Sequence, residues 1–315
     1  MNEIQQVNAD LRQTDNDGRI IEAFLHQLDA AEKTRATYER SLRAWRSYLA
    51  ETGESIMTST RRTVLAYKTS LEAAKKAATV NAYLSAVRSL YAFLEAEGIK
   101  PNIAASVKGV RRSAASPKDA LTIAQARELL ADKPGEGATV EQLRDYAILN
   151  LLTRRGLRTV EAVRANIGDI RQVNGEAVLY VQGKGYSDKS DFVILNQACL
   201  GPLYAYLEAR GCRDPEAPLF AGIGNRNQGG RMTTRTVSRI VKEAFKLHGI
   251  EAASLTAHSL RHTAVTLALL ADAPLQEVQA MARHKSINTT MIYAHNLNRM
   301  RAGAEHAIDG LLAVG

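Results

Sequence analysis

Val80, Leu84, Val87, Tyr91 and Leu94 recur at i, i+4, i+7, i+11 and i+14, and Gly98 and Pro101 follow them. Residues so spaced lie along one side of an α-helix, and a glycine and a proline just beyond it end the helix. A helix with one apolar side must bury that side against other elements, so this stretch commits the N-terminal part of the chain to a helical bundle. Tyr38, Leu42, Trp45 and Leu49 repeat the pattern at i, i+4, i+7 and i+11 before Gly53, while Arg35, Arg40, Arg43 and Arg46 fall largely on other sides. A shorter helix is predicted over 63–71. The apolar stripes read as the core of this bundle rather than as a partner surface.

At 315 residues the chain is long enough for two domains. Residues 1–18 are polar and acidic, an expected flexible lead-in with no apolar signal core. The helical domain is predicted over 19–112. SVKGVRRSAASPKDA at 106–120 combines small residues, a proline and positive charge, the composition of a connector, with the linker itself at 113–120. The second domain spans 121–315. Its predicted helices run from Thr122 as N-cap through 130, over EQLRDYAILNLLTRRG to Gly156, then over 158–166, 200–210, 234–247, 258–270, 275–282 and 288–292, with a possible last helix over 305–312. DIRQV, EAVLYVQG and SDFVIL, separated by NG and GKG turns, predict a three-stranded antiparallel sheet over 168–195. The expected fold class is mainly α with one small antiparallel β-sheet.

The net charge is +8, and it is unevenly spread: −5 over residues 1–32, +9 over 33–112 and +4 over 113–315. One compact basic segment suits a phosphate-bearing partner, though a solvated charged surface explains the charge equally well. No run is long and apolar enough to span a bilayer, so no membrane partner and a cytoplasmic location are expected. Cys199 and Cys212 are too few for a disulfide framework or a metal site and read as ordinary packing or surface residues.

His258 and His262 stand at i and i+4 on a predicted helix. A zinc protease would need HExxH, and Ser259 occupies the glutamate position; a third ligand would have to be His284. No metal and no cofactor are therefore expected, and His262 reads as a helix residue satisfied by packing or a carbonyl. GxSxG and GxxxxGK[ST] are absent. The remaining pattern is cationic. Arg158 follows Gly156 at the start of a helix, and Arg261 follows His258 by three. A guanidinium presents a planar fork that matches phosphate oxygens and stays charged at working pH. Two forks with histidine donors can stabilise a pentavalent phosphorus transition state without a metal. Lys184, on a β-turn, can protonate a leaving alkoxide if neighbouring cations lower its pKa, and Tyr293 on a C-terminal helix can act as nucleophile. Taken singly, either arginine suits a helix surface, and Tyr293 is one of eleven tyrosines, any of which suits a core.

The four motifs together resemble the tyrosine recombinase, or phage integrase, family over residues 19 to 295. GLRTVEA at 156–162 resembles its first arginine motif, GKG at 183–185 its lysine hairpin, HSLRHT at 258–263 its HxLRH box, and RHKSINTTMIYAH at 283–295 its final histidine-to-tyrosine segment. The resemblance implies an N-terminal helical, SAM-like core-binding domain and a C-terminal catalytic domain that together clamp duplex DNA. It implies that Arg158 and Arg261 grip the scissile phosphate, that His284 hydrogen-bonds the same group, and that His258 assists proton transfer at Tyr293. Lys184 would be the general acid for the leaving 5′-hydroxyl, Tyr293 would form a 3′-phosphotyrosyl bond, and Glu161 would support the site from behind. The implied partners are double-stranded DNA with inverted-repeat half-sites and three further copies of the chain, a homotetramer in which the tail around 307–312 is exchanged between subunits. The chain departs from the family at Ala282 and Arg283, where many relatives have Leu-Gly; an altered turn and an added charge beside the site are expected there. The short acidic N-terminus resembles two-domain Xer- or Cre-like enzymes rather than integrases with an extra arm-binding domain. The rival readings are a type IB topoisomerase and a catalytically idle DNA-binding protein of a mobile element.

Overall fold

The computed structural model describes residues 17–111, 120–183, 188–224, 227–250 and 254–302, together with Ile308 and Leu312. The chain divides into two compact units, residues 1–116 and 117–315.

The first unit is built from helices α1 (Asp17–Gln27), α2 (Glu32–Glu51), α3 (Arg61–Ala74) and α4 (Ala77–Ala96). The two periodic stripes meet in its centre: Leu42, Trp45 and Leu49 from α2, and Val80, Leu84, Val87, Tyr91 and Leu94 from α4, are all fully buried. The Trp45 ring lies 4.8 Å from that of Tyr67 and meets Tyr91 edge-on at 6.4 Å. Aromatic pairs at such separations add about 0.5–1.5 kcal/mol beyond their burial. The Tyr91 hydroxyl would be costly to bury alone, and it hydrogen-bonds Ser59 Oγ at 2.6 Å. Arg35, Arg40, Arg43 and Arg46 remain exposed on α2.

In the second unit α5 (Ile123–Leu129) and α6 (Val140–Arg155) each start on a threonine–glutamine capping box, Thr122 with Gln125 and Thr139 with Gln142. Gly156 then ends α6 in the left-handed conformation, with φ of 59°. The short α7 (Thr159–Arg164) leads into three strands, β1 (Ile170–Val173), β2 (Glu176–Val181) and β3 (Asp191–Ile194). They form one antiparallel sheet in the order β1-β2-β3, with Ile170 opposite Leu179 and Tyr180 opposite Phe192. Asn174 and Gly175 both have positive φ, as a two-residue hairpin between twisted strands requires.

Helices α8 (Gln197–Arg210), α9 (Thr234–Leu247), α10 (Ala257–Leu270), α11 (Leu275–Ala282) and α12 (Ile287–Ala302) complete the unit. Helix α6 packs against α8 and α10, and α10 in turn contacts α11 and α12. Cys199 is buried in the core and Cys212 half-buried, both as free thiols. Helix α12 is longer than the five residues its sequence predicts and carries Tyr293 near its middle. The residues that follow Tyr293 are mostly polar and leave no apolar stripe to read. Of the helix expected over 305–312, Ile308 and Leu312 are described, both helical and exposed. No helix among the described residues is long and apolar enough to cross a membrane.

Candidate active site

The site gathers where α6 ends and α11 turns into α12. Gly156 is its backbone hinge. A Cβ at this position would lie 3.2 Å from Ala264 Cβ, so the left-handed turn and the close approach of α10 both favour glycine. The freed Gly156 carbonyl accepts from Arg261 Nη1 at 2.6 Å and from Arg283 Nη2 at 3.2 Å.

Two residues later Arg158 is the N-cap of α7. Glu161, in the first turn, reaches back so that Oε2 accepts the Arg158 N–H at 2.7 Å while Oε1 accepts from Arg158 Nη1 at 2.6 Å. Arg158 Nη2 donates to the Arg283 carbonyl at 3.1 Å. The Glu161 carboxylate is wholly buried and carries a second ion pair, to Arg283 Nη2 at 2.6 Å. Burial alone would raise its pKa, but Arg283 and then Arg158 outweigh that effect and hold the carboxyl below its usual range.

Arg261 comes from α10 and is buried, its Nη2 donating to the Ala282 carbonyl at the end of α11. Burial, then the nearby charges of Arg158 and Arg283, pull its pKa down to about 9, which still leaves a cation at neutral pH. His284 follows the α11 turn. Its Nδ1 pairs with Thr290 Oγ1 at 2.9 Å, and its ring lies nearly parallel to the Tyr293 ring at 6.1 Å. Desolvation, with the positive charges of Arg261, Arg158 and Arg283, lowers its pKa to about 4, so the ring is neutral at pH 7.

Tyr293 is half-buried, and burial raises its pKa above the usual phenol value despite the opposing charge of Arg261. Its hydroxyl is held by Nδ1 of His262. His258 is exposed at the start of α10, and its ring meets that of His262 edge-on at 4.5 Å. The structure thus draws together Arg158, Glu161, Arg261, His284 and Tyr293, and reaches His258 through His262. Lys184 lies outside the described residues. Among the described residues no group of three or more His, Cys, Asp or Glu side chains is placed to hold a metal ion.

Two expectations change. From spacing alone His262 reads as a packing residue, yet it is the histidine that contacts the Tyr293 hydroxyl. The available signal was its position one turn beyond His258, which puts both rings on one side of α10. The other concerns Arg283. It adopts φ of 52° and ψ of 48°, the left-handed conformation that a glycine favours, so the replacement keeps a left-handed helix end. Its guanidinium is also a buried partner of Glu161, and not merely a charge beside the site.

Comparison with known proteins agrees with this architecture. The phage integrase family profile matches residues 120–300, and the phage integrase N-terminal SAM-like domain matches residues 21–98. The tyrosine recombinase XerD of Rhizobium meliloti is 30% identical over 90% of this chain and 93% of its own length. A tyrosine recombinase XerC from Thermodesulfovibrio yellowstonii is 34% identical over 70% of this chain and 72% of its own. Among solved structures, the XerH site-specific recombinase in a post-cleavage complex with palindromic difH substrate superposes with a TM-score of 0.73, at 23% identity, over 87% of this chain and 79% of that one. The chain belongs to the phage integrase family. With full-length relatives of the XerD kind, it is a site-specific tyrosine recombinase.

Proposed function

We propose that Tyr293 is the nucleophile and that the protein breaks and rejoins DNA through a 3′-phosphotyrosyl intermediate, without metal or ATP. The Tyr293 hydroxyl loses its proton as its oxygen attacks the scissile phosphorus, and the bond from phosphorus to the 5′ oxygen breaks. Lys184 donates a proton to that oxygen, releasing a 5′-hydroxyl. Arg158 and Arg261 bind the non-bridging oxygens, His284 donates a hydrogen bond to the same phosphate, and the His258–His262 pair takes the phenolic proton. Glu161 fixes the arginines. The phosphodiester energy is retained in the tyrosyl ester, so the reverse attack by a 5′-hydroxyl rejoins a strand.

One observation carries this reading: Arg158, Arg261 and Arg283 converge on a single carbonyl and a single carboxylate within reach of the stacked His284 and Tyr293 rings. A cluster of cations with so little counter-charge suits an anion that arrives with the substrate. The exposed arginines of α2 suit the DNA backbone. We further propose that four copies assemble on two duplexes, each copy on one inverted-repeat half-site, with the C-terminal tail exchanged between neighbours. The setting would be integration, excision or resolution of a mobile element or a replicon dimer.

A plasmid carrying two copies of the bound site tests this. Recombination predicts two product circles or an inversion, according to site orientation. Relaxed plasmid with no exchange of strands would instead identify topoisomerase-like chemistry, and binding with neither product an idle DNA-binding protein.

A further inference from the structure

Arg283 holds a left-handed backbone conformation that glycine adopts freely and a residue with a side chain adopts only at a cost. Its contacts point to what the residue does there. The guanidinium grips Glu161 through two nitrogens, Nη2 to Oε2 at 2.6 Å and Nε to Oε1 at 3.3 Å. It also donates to the carbonyls of Met281 at 2.5 Å and Gly156 at 3.2 Å. The other cation on Glu161 is Arg158, and the two differ in access. The side chain of Arg158 is 26% exposed, that of Arg283 only 3%, and that of Glu161 not at all.

A buried carboxylate needs a permanent counter-charge, because leaving it unpaired is strongly unfavourable. With Arg158 alone, that requirement would hold the Arg158 fork on Glu161 and away from a substrate. With Arg283 present, Glu161 keeps a two-nitrogen cation and the Arg158 backbone N–H even when Arg158 Nη1 leaves. Charge counting agrees. Among the described residues, three guanidinium groups against one carboxylate leave two positive charges in the pocket, and a phosphodiester attacked by a phenolate oxygen carries two negative ones. Removing Arg283 would leave one.

We infer that Arg283 is a positioning residue for strand cleavage: it takes over the charge of Glu161 and frees the more exposed Arg158 to turn its fork onto the scissile phosphate. This rests on the proposed role of Tyr293. Arg283 itself stays buried behind the site and does not touch the substrate. In this chain the left-handed turn has been given a second function, as the mount for a buried cation.

The test is single-turnover cleavage by the full chain. The substrate is a nicked duplex carrying the site recovered by selecting bound DNA, with either a normal phosphodiester or an uncharged methylphosphonate at the scissile position. Arg283→Gly relieves the backbone and removes the charge; Arg283→Asn, also tolerant of a left-handed turn, guards against an effect peculiar to glycine. Both are expected to slow adduct formation on the phosphodiester tenfold or more and to lose much less on the methylphosphonate. Adding Glu161→Gln to Arg283→Gly removes the charge that Arg283 offsets and is expected to recover most of the rate. Cleavage of the phosphodiester at the wild-type rate would overturn the inference, as would equal losses on both substrates without recovery in the double variant. If the wild-type chain forms no adduct, the Tyr293 reading fails first; an adduct with unaffected Arg283 variants sinks only this inference.

Discussion

Nδ1 of His262 holds the hydroxyl of Tyr293, one turn along α10 from His258. The contact ties α12 to α10 and fixes where the phenolic oxygen of Tyr293 sits. His262→Ala should therefore slow adduct formation at least tenfold, since it removes a hydrogen bond worth roughly 1–1.5 kcal/mol and half of the pair proposed to take the phenolic proton. His262→Asn, which retains a polar partner, should recover part of the rate. Single-turnover trapping on a nicked duplex measures both. A wild-type rate for His262→Ala would mean that the contact is broken before the chemistry begins.

Gly156 supplies both a left-handed turn and the carbonyl on which Arg261 and Arg283 converge. Gly156→Ala adds a strained φ of about 1–2 kcal/mol and a Cβ tight against Ala264. The melting temperature of the second unit should fall, and cleavage should fall further than the lost stability explains, because relieving the strain shifts the carbonyl that anchors both arginines. Calorimetry beside cleavage rates at a temperature well below melting separates the two. Loss of stability alone would make Gly156 a folding residue only.

His284 gives a pH signature. Its pKa in the folded chain, about 4, lies below the ordinary value near 6.5. Between these values the unfolded chain binds a proton that the folded site refuses. The stability associated with a neutral His284 is thus present above about pH 6.5 and is lost as pH falls toward 4. His284→Asn should flatten that part of the stability profile. The anionic phosphate of bound DNA should raise the pKa, because it offsets the arginine charges that depress it. Titration of the His284 ring by NMR, with and without DNA, reads this directly. A midpoint near 6.5 in the free protein would contradict the described environment.

Much of this molecule could be read from its sequence, for reasons that differ by element. The stripes of α2 and α4 are regular because each buries one side, and regularity survives as spacing. Gly156 and the Asn174–Gly175 turn are legible because few residues accept positive φ. The fold and the family likeness followed from elements of this kind and from motif order. What escaped depended on tertiary partners. The value of His262 lies in a tyrosine thirty-one residues away, and a histidine on a helix gives no sign of which ring nitrogen meets what. Arg283 was legible as a departure but not in its consequence, since its ion pair with Glu161 spans 122 positions. The length of α12 was missed because polar residues follow Tyr293 and carry no apolar period.

If Tyr293 is the nucleophile, its oxygen becomes joined to a DNA 3′ end. A nicked duplex that loses its 5′-hydroxyl fragment after cleavage traps that state. Protease digestion and mass spectrometry of the trapped complex then locate the bond. The expected result is one nucleotide-bearing peptide containing Tyr293, linked through a 3′-phosphate, and no adduct from Tyr293→Phe under conditions where that variant still binds the duplex. A linkage mapped to another of the eleven tyrosines, or an adduct that persists in Tyr293→Phe, would contradict it.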